Sequence, residues 1–194
     1  MKLVLNDIAY LKKSIEIIHG LVIETRFNFN KEGISLLSMD PAGVCFIYFK
    51  LLKSAFNSYE LEQDLEVGLK LSDLKQVLKK SSESDILIIE YEEPRLLLTL
   101  KGKSRKEFKI NTIELEEKDY KEPELKFDCV IKTKSSTIVD AIDTCDIGGE
   151  GESVTITSNL KELSLFIESN NNEAKHIIKS SDDCKIESSK EVVS

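Results

Sequence analysis

The 194-residue chain contains no tryptophan, two histidines, two methionines and three prolines. Its four cysteines lie far apart and form no CxxC pair, which is typical of small core side chains in a reducing compartment. Because histidines are few and no ligand spacing links them to the cysteines, the sequence predicts no metal site. No glycine-rich phosphate loop is present, and the sequence accordingly predicts no cofactor.

Long hydrophobic runs are also missing. Runs such as residues 86–89 and 96–98 are short, whereas a membrane-spanning helix needs about 20 apolar residues. The N-terminus has neither a long apolar stretch nor a small-residue cleavage site, so we expect no secretory signal and no membrane partner. Hydrophobic residues still make up 41% of the chain, enough for the core of one large domain or two small ones.

Positive charge is in deficit. The chain has 27 lysines and arginines against 35 aspartates and glutamates, which gives a net charge of −8. Proteins contact nucleic-acid phosphates mainly through lysine and arginine, so this balance does not favour DNA binding. Any DNA-binding hypothesis therefore depends on an uneven distribution of the cations.

Three segments have the apolar spacing of short amphipathic helices. Their apolar positions are Ile8, Leu11, Ile15 and Ile18; Leu71, Leu74 and Leu78; and Ile138, Ile142 and Cys145. Each helix follows one strand-like run and precedes three more, so a β-α-β-β-β unit recurs with a period of about 64 residues. The predicted fold class is α+β, with two similar domains built from this repeat.

The repeat also predicts the domain boundaries. Residues 1–115 hold two units, and residues 116–124 form an acidic connector that contains Pro123. Residues 125–194 hold one unit plus residues 185–193, which we interpret as the opening strand of a fourth unit. The second domain is therefore expected to be incomplete, as in a truncated or split chain.

Residues 36–44, LLSMDPAGV, with Phe56 and Tyr59 downstream, carry a family resemblance. They resemble the signature of the proliferating cell nuclear antigen (PCNA) family of DNA sliding clamps, and the Asp-Pro-Ala form is most similar to archaeal members. The Leu-Lys-Lys run at residues 11–13 and the connector region at 113–125 are also similar to the family. The resemblance implies a DNA clamp fold, with helices lining the central hole of a ring of three subunits.

The resemblance also implies the partners. The ring would encircle double-stranded DNA without sequence preference. It would tether DNA polymerase, ligase and flap nuclease through short peptide motifs and would be loaded by a clamp loader. No covalent chemistry is involved, so no catalytic residue is expected. The implied location is the cytoplasm, at the nucleoid, for an archaeal protein, or the nucleus for a eukaryotic one.

Cations on the polar faces of the first two helices match the hole-lining positions of the family. The candidate DNA-facing residues are Lys12, Lys13, His19, Lys75, Lys79 and Lys80. From the residues alone, these could equally form the solvated face of ordinary amphipathic helices. The third helix departs from the pattern, because it carries Asp140 and Asp143 where relatives tend to be basic.

The resemblance further implies a partner-peptide pocket and a subunit interface made of two edge strands. The pocket residues are Met39, Val44, Phe46, Tyr120, Pro123 and Leu125. The interface candidates are Lys109, Ile113, Lys175 and Ile177, with Lys106, Glu173 and His176 as further charged residues. For an isolated strand, Val44 and Phe46 would also fit ordinary alternating core positions.

Three other interpretations stay open at this point. The chain could be a truncated or split clamp subunit that acts as a non-encircling scaffold for other proteins. It could be an enzyme on a repeated scaffold, with Asp140 and Asp143 as an acid/base or metal-binding pair. It could also be an interaction scaffold that never touches DNA, which the net charge of −8 favours.

Overall fold

The computed structural model describes residues 1–116, 124–145, 153–169, 172–188 and 190–193. The chain divides into two compact units, Met1–Pro123 and Glu124–Ser194. The first unit contains β1 (Lys2–Leu5), α1 (Ala9–His19), β2 (Glu24–Asn30), β3 (Gly33–Met39), β4 (Phe46–Leu52), a 3-10 turn (Lys53–Ala55), β5 (Ser58–Glu60), β6 (Leu65–Lys70), α2 (Leu71–Lys79), β7 (Ile86–Glu92), β8 (Arg95–Lys101) and β9 (Arg105–Asn111). The second unit contains β10 (Cys129–Thr133), α3 (Ser135–Cys145), β11 (Thr155–Ser158), β12 (Glu162–Ser169), β13 (Asn172–Lys179), β14 (Cys184–Ser188) and β15 (Val192–Val193).

The two repeats of the first unit exchange their opening strands. β1 opens the first repeat but lies in the sheet of the second, in the order β5-β1-β7-β8-β9, where Leu3 is paired with Ile89. β6 opens the second repeat but lies in the sheet of the first, in the order β4-β3-β2-β6, where Val67 is paired with Phe27. Each sheet is therefore completed by a strand from the other repeat.

The second unit uses the same pairing pattern. β10 pairs with β14 as β1 pairs with β5, and β11 pairs with β15 as β2 pairs with β6. The prediction of one strand over residues 185–193 is wrong, because β14 and β15 belong to different sheets. The local sequence does not reveal this division, since strand partners are set by contacts remote in sequence.

The apolar faces of α1 and α2 point into the core of the first unit. Leu11, Ile15 and Ile18 of α1 are buried, which confirms the predicted positions on that helix. The predicted leucines of α2 are buried too, and Val77 joins them. Burial every third or fourth residue places these side chains on one side of each helix and leaves the other side to polar residues.

The third helix has a different buried face from the one predicted. α3 packs on β12 and β13 through Ala141 and Cys145, both fully buried, with Ile138 partly buried beside them. Ile142 is 47% exposed, so its prediction as a core residue is wrong. Steps of three and four residues both stay on one helix face, and here the small side chain of Ala141 takes the core position.

No described helix combines the length and apolar character needed to cross a membrane.

Candidate nucleic-acid and partner-binding surfaces

α1 and α2 contact each other, and polar contacts between them involve three of the candidate DNA-facing residues. His19 Nδ1 lies 3.2 Å from Lys75 Nζ, which joins the last turn of α1 to the middle of α2. Lys12 Nζ donates to the carbonyl oxygen of Ser81, just beyond α2, at 3.5 Å. Lys12, His19 and Lys75 are therefore half-buried and take part in holding the helices together.

The other three candidates are exposed. Lys13 lies on α1, and Lys79 and Lys80 lie at the C-terminal end of α2. Cations near a helix C-terminus are also favoured by the partial negative charge of its unpaired carbonyl groups. All six candidates thus belong to one contacting pair of helices, with three of them free to meet a ligand in solvent.

The end of α2 is tied to β7 and β9 by a buried carboxylate. Asp85, with a side chain 5% exposed, accepts a hydrogen bond from the backbone N–H of Ser82 at 2.9 Å. Lys106 Nζ lies 3.4 Å from the same carboxylate and donates to the Lys80 carbonyl at 2.9 Å. The Ser82 bond and then Lys106 lower the pKa of Asp85. Lys106, assigned from sequence to a subunit contact, is thus already bonded within its own unit.

The predicted peptide pocket is assembled only in part on the first unit. Met39 on β3 is paired across the sheet with Phe46 on β4, and both are half-buried. Val44 lies in the loop between these strands and is 85% exposed. Leu125 is exposed and belongs to the second unit. Tyr120 and Pro123 lie outside the described residues.

Asp40 organises the loop that carries Val44. Its Oδ1 accepts backbone N–H bonds from Val44 at 2.8 Å and Cys45 at 2.6 Å, and its Oδ2 accepts one from Ala42 at 3.1 Å. These bonds, that from Cys45 above all, lower the pKa of the Asp40 carboxyl. Gly43 has φ of +72°, a conformation that favours glycine. The loop is therefore a fixed turn that holds Val44 in solvent.

A groove of about 1150 Å³ lies beside this loop. Residues of β2 and β3 line it, together with loop residues 40–43 and the segment 114–116 that follows β9. Of the predicted pocket residues, Met39 lines this groove; Leu37, Ile23 and Arg26 were missed. Local sequence patterns indicate these residues only weakly. The groove forms only when residues 114–116, which follow β9, lie against the sheet β4-β3-β2-β6.

Two contacts hold that segment on the sheet. The Ile113 N–H donates to the Gly68 carbonyl on β6 at 2.9 Å, and Arg26 Nη2 donates to the Leu115 carbonyl at 2.8 Å. A Cβ atom on Gly68 would overlap the carbonyl oxygen of Ile113, so glycine permits the close approach. Ile113, a predicted subunit-interface residue, therefore has its backbone bonded within its own unit.

The other interface candidates lie on edge strands. β9 ends the five-stranded sheet and carries Lys109, which is exposed. β13 ends the sheet β13-β12-β11-β15 and carries Lys175 and Ile177, both exposed. An edge strand has backbone groups available for pairing with another chain. The structure thus places three of the four candidates where strand addition could reach them.

Asp140 and Asp143 lie on the exposed side of α3. Within the described residues, no group of three or more histidine, cysteine, aspartate or glutamate side chains is arranged to hold a metal ion. The hydroxyl of Thr144 donates to the Asp140 carbonyl, and His176 Nδ1 lies 3.0 Å from that hydroxyl. The two carboxylates thus form an acidic helix surface.

Comparison with known proteins identifies the first unit. Residues 1–123 match the family model described as proliferating cell nuclear antigen, N-terminal domain. A DNA polymerase sliding clamp from Nanoarchaeum equitans is 31% identical over 146 residues, which cover 74% of this chain and 59% of the relative. One from Thermofilum pendens is 27% identical over 173 residues, covering 89% of this chain and 69% of the relative. The chain thus spans about six or seven tenths of the length of these relatives.

Solved structures share the fold along the chain. PCNA from Entamoeba histolytica superimposes with a TM-score of 0.91 at 21% identity, covering 99% of this chain and 78% of that one. A chain of a PCNA2-PCNA3 complex from Sulfolobus tokodaii superimposes with a TM-score of 0.89 at 22% identity, covering 100% of this chain and 79% of that one. These likenesses confirm the predicted DNA clamp fold. Since the family model also matches well over half of the residues, the chain belongs to the proliferating cell nuclear antigen family.

Proposed function

We propose that the chain is a subunit of a DNA sliding clamp, a ring that encircles double-stranded DNA and tethers replication and repair enzymes. The observation that carries this proposal is the α1–α2 pair, which concentrates exposed Lys13, Lys79 and Lys80 in a chain of net charge −8. Phosphate contacts by lysine carry no sequence information, which suits a protein that must slide. Membership of the PCNA family supports the same function.

Ring closure would use the two edge strands. β9 of one subunit would pair antiparallel with β13 of the next, which would satisfy backbone groups on both edges. Lys109, Lys175 and Ile177 lie on these strands and would border the contact. The expected assembly is a trimer of such subunits, in which each subunit contributes one strand to each of its two interfaces.

Client enzymes would dock by short peptides at Met39, Val44 and Phe46. An apolar patch beside a fixed loop suits one aromatic or aliphatic anchor with added main-chain hydrogen bonds. The expected clients are DNA polymerase, ligase and flap nuclease, with a clamp loader to open the ring. The role is non-enzymatic and needs no cofactor, and in an archaeal cell the protein would act at the nucleoid.

Binding to nicked circular and linear duplex DNA tests the encircling role. A closed ring stays on a circle after a salt rise that breaks phosphate contacts, whereas it slides off the ends of a linear duplex. Light scattering with and without DNA gives the assembly mass, and a trimeric mass is expected. Equal salt-sensitive release from both DNA forms would contradict encirclement.

A pair of double variants tests the cationic helix surface. Lys13→Glu with Lys79→Glu should lower the affinity for duplex DNA by at least about tenfold at low salt, because each reversal replaces a phosphate contact by repulsion. Lys31→Glu with Lys161→Glu makes the same charge change in exposed turns between strands, and should have a much smaller effect. Equal losses in both pairs would show that only the total charge matters.

The second candidate function is a protein scaffold that does not encircle DNA. The exposed Asp140 and Asp143 on α3 favour it, because they would repel phosphates at that surface. This candidate predicts a monomer or dimer in solution that binds client peptides and is not retained on circular DNA. The same mass and retention measurements therefore separate the two functions.

A further inference from the structure

The opening strand and helix of the second unit align with those of the first. The apolar stripes of α1 and α3 share one spacing, in which Leu11, Ile15 and Ile18 correspond to Ile138, Ile142 and Cys145. The same alignment places Leu3 of β1 on Val130 of β10, and Lys12 of α1 on Val139 of α3. Equivalent positions can therefore be compared one by one between the two units.

Equivalent positions differ in burial. Leu3 and Ile15 are 0% exposed in the first unit, whereas Val130 is 42% exposed and Ile142 is 47% exposed in the second. Val139 adds a third exposed apolar side chain, at 51%. Valine and isoleucine are among the residues most often buried in folded proteins. We call these three side chains, Val130, Val139 and Ile142, the β10–α3 surface.

The second repeat covers the equivalent surface in the first unit. β1 lies between β5 and β7, where Leu3 is paired with Ile89 of β7. α1 contacts α2. Among the described strands of the second unit, β10 pairs with β14 alone, and its other edge is open. An occupant of the β10–α3 surface must therefore supply an antiparallel strand and an amphipathic helix, as β7 and α2 do.

A second copy of the second unit can supply both elements. In the first unit the exchange is reciprocal, because β1 of the first repeat pairs with β7 of the second, and β6 of the second pairs with β2 of the first. Two identical repeats related by a two-fold axis satisfy the same reciprocal pattern. β2, β7 and β11 each follow the helix of a repeat, so β11 of one copy is the equivalent partner for β10 of the other.

The edge of β11 is only partly occupied. β15 pairs with β11 at Thr157 and Ser158, and within the described residues it does not reach Thr155 and Ile156. β6, its equivalent, pairs with all of β2 from residue 24 to residue 29. A two-residue strand contributes few backbone hydrogen bonds. β15 is therefore a strand that β10 of another copy can displace.

Contacts between α1 and α2 locate the centre of such an arrangement. Lys12, in the first half of α1, reaches the carbonyl oxygen of Ser81 just beyond α2. His19, in the last turn of α1, meets Lys75 in the middle of α2. The two helices therefore run antiparallel. Ile15, which lies between Lys12 and His19, is near the point where the helices cross.

The acidic residues of α3 do not oppose a contact of this kind. Asp140 and Asp143 align with Lys13 and Glu16, which stay exposed on α1 although α1 contacts α2. The two carboxylates would therefore remain in solvent in a pair of α3 helices. Neither charge would have to be desolvated.

We infer that two copies of the chain associate through the β10–α3 surface, each giving the other the strand and helix that the second repeat gives the first. β10 of one copy would pair with β11 of the other in place of β15. The two Ile142 side chains would meet near the two-fold axis, because their equivalent Ile15 lies at the helix crossing. Burial of Val130, Val139 and Ile142 in both copies would stabilise the dimer. The inference does not depend on the clamp function.

The test uses the full chain with Ile177→Glu, a change that disfavours pairing at the edge strand β13. Ile177 lies on the face of β13 away from α3, because the neighbouring His176 contacts Thr144 of α3 and side chains alternate along a strand. The variant therefore keeps the β10–α3 surface. Light scattering over a range of concentrations should give the mass of a dimer, and a monomer at every concentration would overturn the inference.

Two double variants in this Ile177→Glu chain locate the contact. Val139→Glu with Ile142→Glu should halve the mass, because association would bury carboxylates without partners. Leu160→Glu with Ser180→Glu adds the same charge in exposed turns of the second unit and should stay dimeric. An unchanged mass in the first double variant, or equal dissociation of both, would overturn the assignment to the β10–α3 surface.

Disulfide trapping tests the two-fold contact without weakening it. Ile142→Cys should give a dimer band on a non-reducing gel after treatment with oxidised glutathione, because the two thiols would lie near the axis. Ser136→Cys is an exposed control on the same helix, about 9 Å further from the axis, and should give no more dimer than the unmodified chain with its four cysteines. Equal trapping of both variants would overturn the two-fold contact, whereas retention on circular DNA judges the clamp function separately.

Discussion

The imidazole of His19 and the ammonium group of Lys75 meet between α1 and α2, with Nδ1 3.2 Å from Nζ. An ammonium group only donates hydrogen bonds, so in this pair Lys75 is the donor and His19 Nδ1 is the acceptor. The pair therefore links the two helices through their side chains. The lysines of this helix pair consequently form two classes. Lys12 and Lys75 take part in contacts between the helices, whereas Lys13, Lys79 and Lys80 are exposed to solvent.

Lys79→Ala and Lys75→Ala should separate these classes. Lys79 is exposed, so its removal should weaken duplex binding and reduce the slope of log affinity against log salt by about one. Lys75 is half-buried at the helix contact, so its removal should lower the melting temperature and leave the salt slope nearly unchanged. Fluorescence anisotropy at several salt concentrations and thermal melting measure both effects. An equal change of slope in the two variants would contradict this division.

Asp85→Asn should destabilise the first unit in a pH-dependent way. The Ser82 N–H bond and Lys106 lower the pKa of Asp85 from its ordinary value of 3.8. A carboxyl whose pKa is lowered by folding stabilises the protein above that ordinary value, and this contribution is lost as the pH falls through the lowered pKa. The melting temperatures of the variant and the unmodified protein should therefore differ at neutral pH and converge in acid. Asp182→Asn, in an exposed turn, should show no such pattern.

Gly68→Ala should displace the segment after β9. The new Cβ would overlap the Ile113 carbonyl oxygen, and relief of that overlap should cost about 1–3 kcal/mol of unfolding free energy in urea titrations. The affinity for client peptides should fall as well, because residues 114–116 line the groove and move with the segment. Gly102→Ala is a matched control, since its Cβ would overlap Asp85 at a distance from the groove. Gly102→Ala should lower the stability and leave peptide binding unchanged. Loss of peptide binding in both variants would indicate that each disrupts the fold as a whole.

Tyr59→Phe should weaken the contact between β5 and the β2–β3 turn. The Tyr59 hydroxyl donates to the Gly33 carbonyl at 2.7 Å, and its loss should cost about 1 kcal/mol. Burial raises the pKa of Tyr59 to about 12, so the neutral phenol is the form that the fold favours. The unmodified protein should therefore lose its advantage over the variant as the pH rises from about 10 towards 12. An advantage that persists at high pH would contradict the role of the neutral hydroxyl.

Ile177→Glu should reduce self-association. The side chain is exposed on the edge strand β13, where a carboxylate would have to be desolvated on pairing with another subunit. Leu160→Glu adds the same charge in the turn before β12 and should leave the mass in solution unchanged. Light scattering over a range of protein concentrations measures both. If only Leu160→Glu caused the subunits to dissociate, the subunit interface would not lie on β13.

The fold could be predicted where its causes are local in sequence. Burial on α1 follows an apolar spacing that needs only residues 8–18, and it is found as predicted. On α3 the same reasoning selected Ile142, since only the packing against β12 and β13 decides between this residue and Ala141. Periodicity defines the buried face of a helix to within one residue. Packing against the neighbouring sheet then determines which residue is buried.

The candidate surfaces show the same limit. The grouping of the cationic residues on α1 and α2 follows from the amphipathic helices of two successive repeats, so the sequence could indicate it. Division of those cations into bonded and exposed groups could not be predicted, because it depends on the approach of His19 to Lys75. The groove beside the Asp40 loop depends on the contact between Gly68 and Ile113, and no local sequence pattern connects these two residues.

The exchange of opening strands has a consequence during synthesis on the ribosome. β1 is made before β7, and its full pairing with β7 must wait until Glu90 has left the exit tunnel. A translation rate of about 5–20 residues per second makes this a delay of several seconds. Until then Leu3 and Leu5, which are buried in the finished protein, lack their neighbours on β7. These two leucines therefore remain exposed apolar side chains on the nascent chain, to which a chaperone could bind.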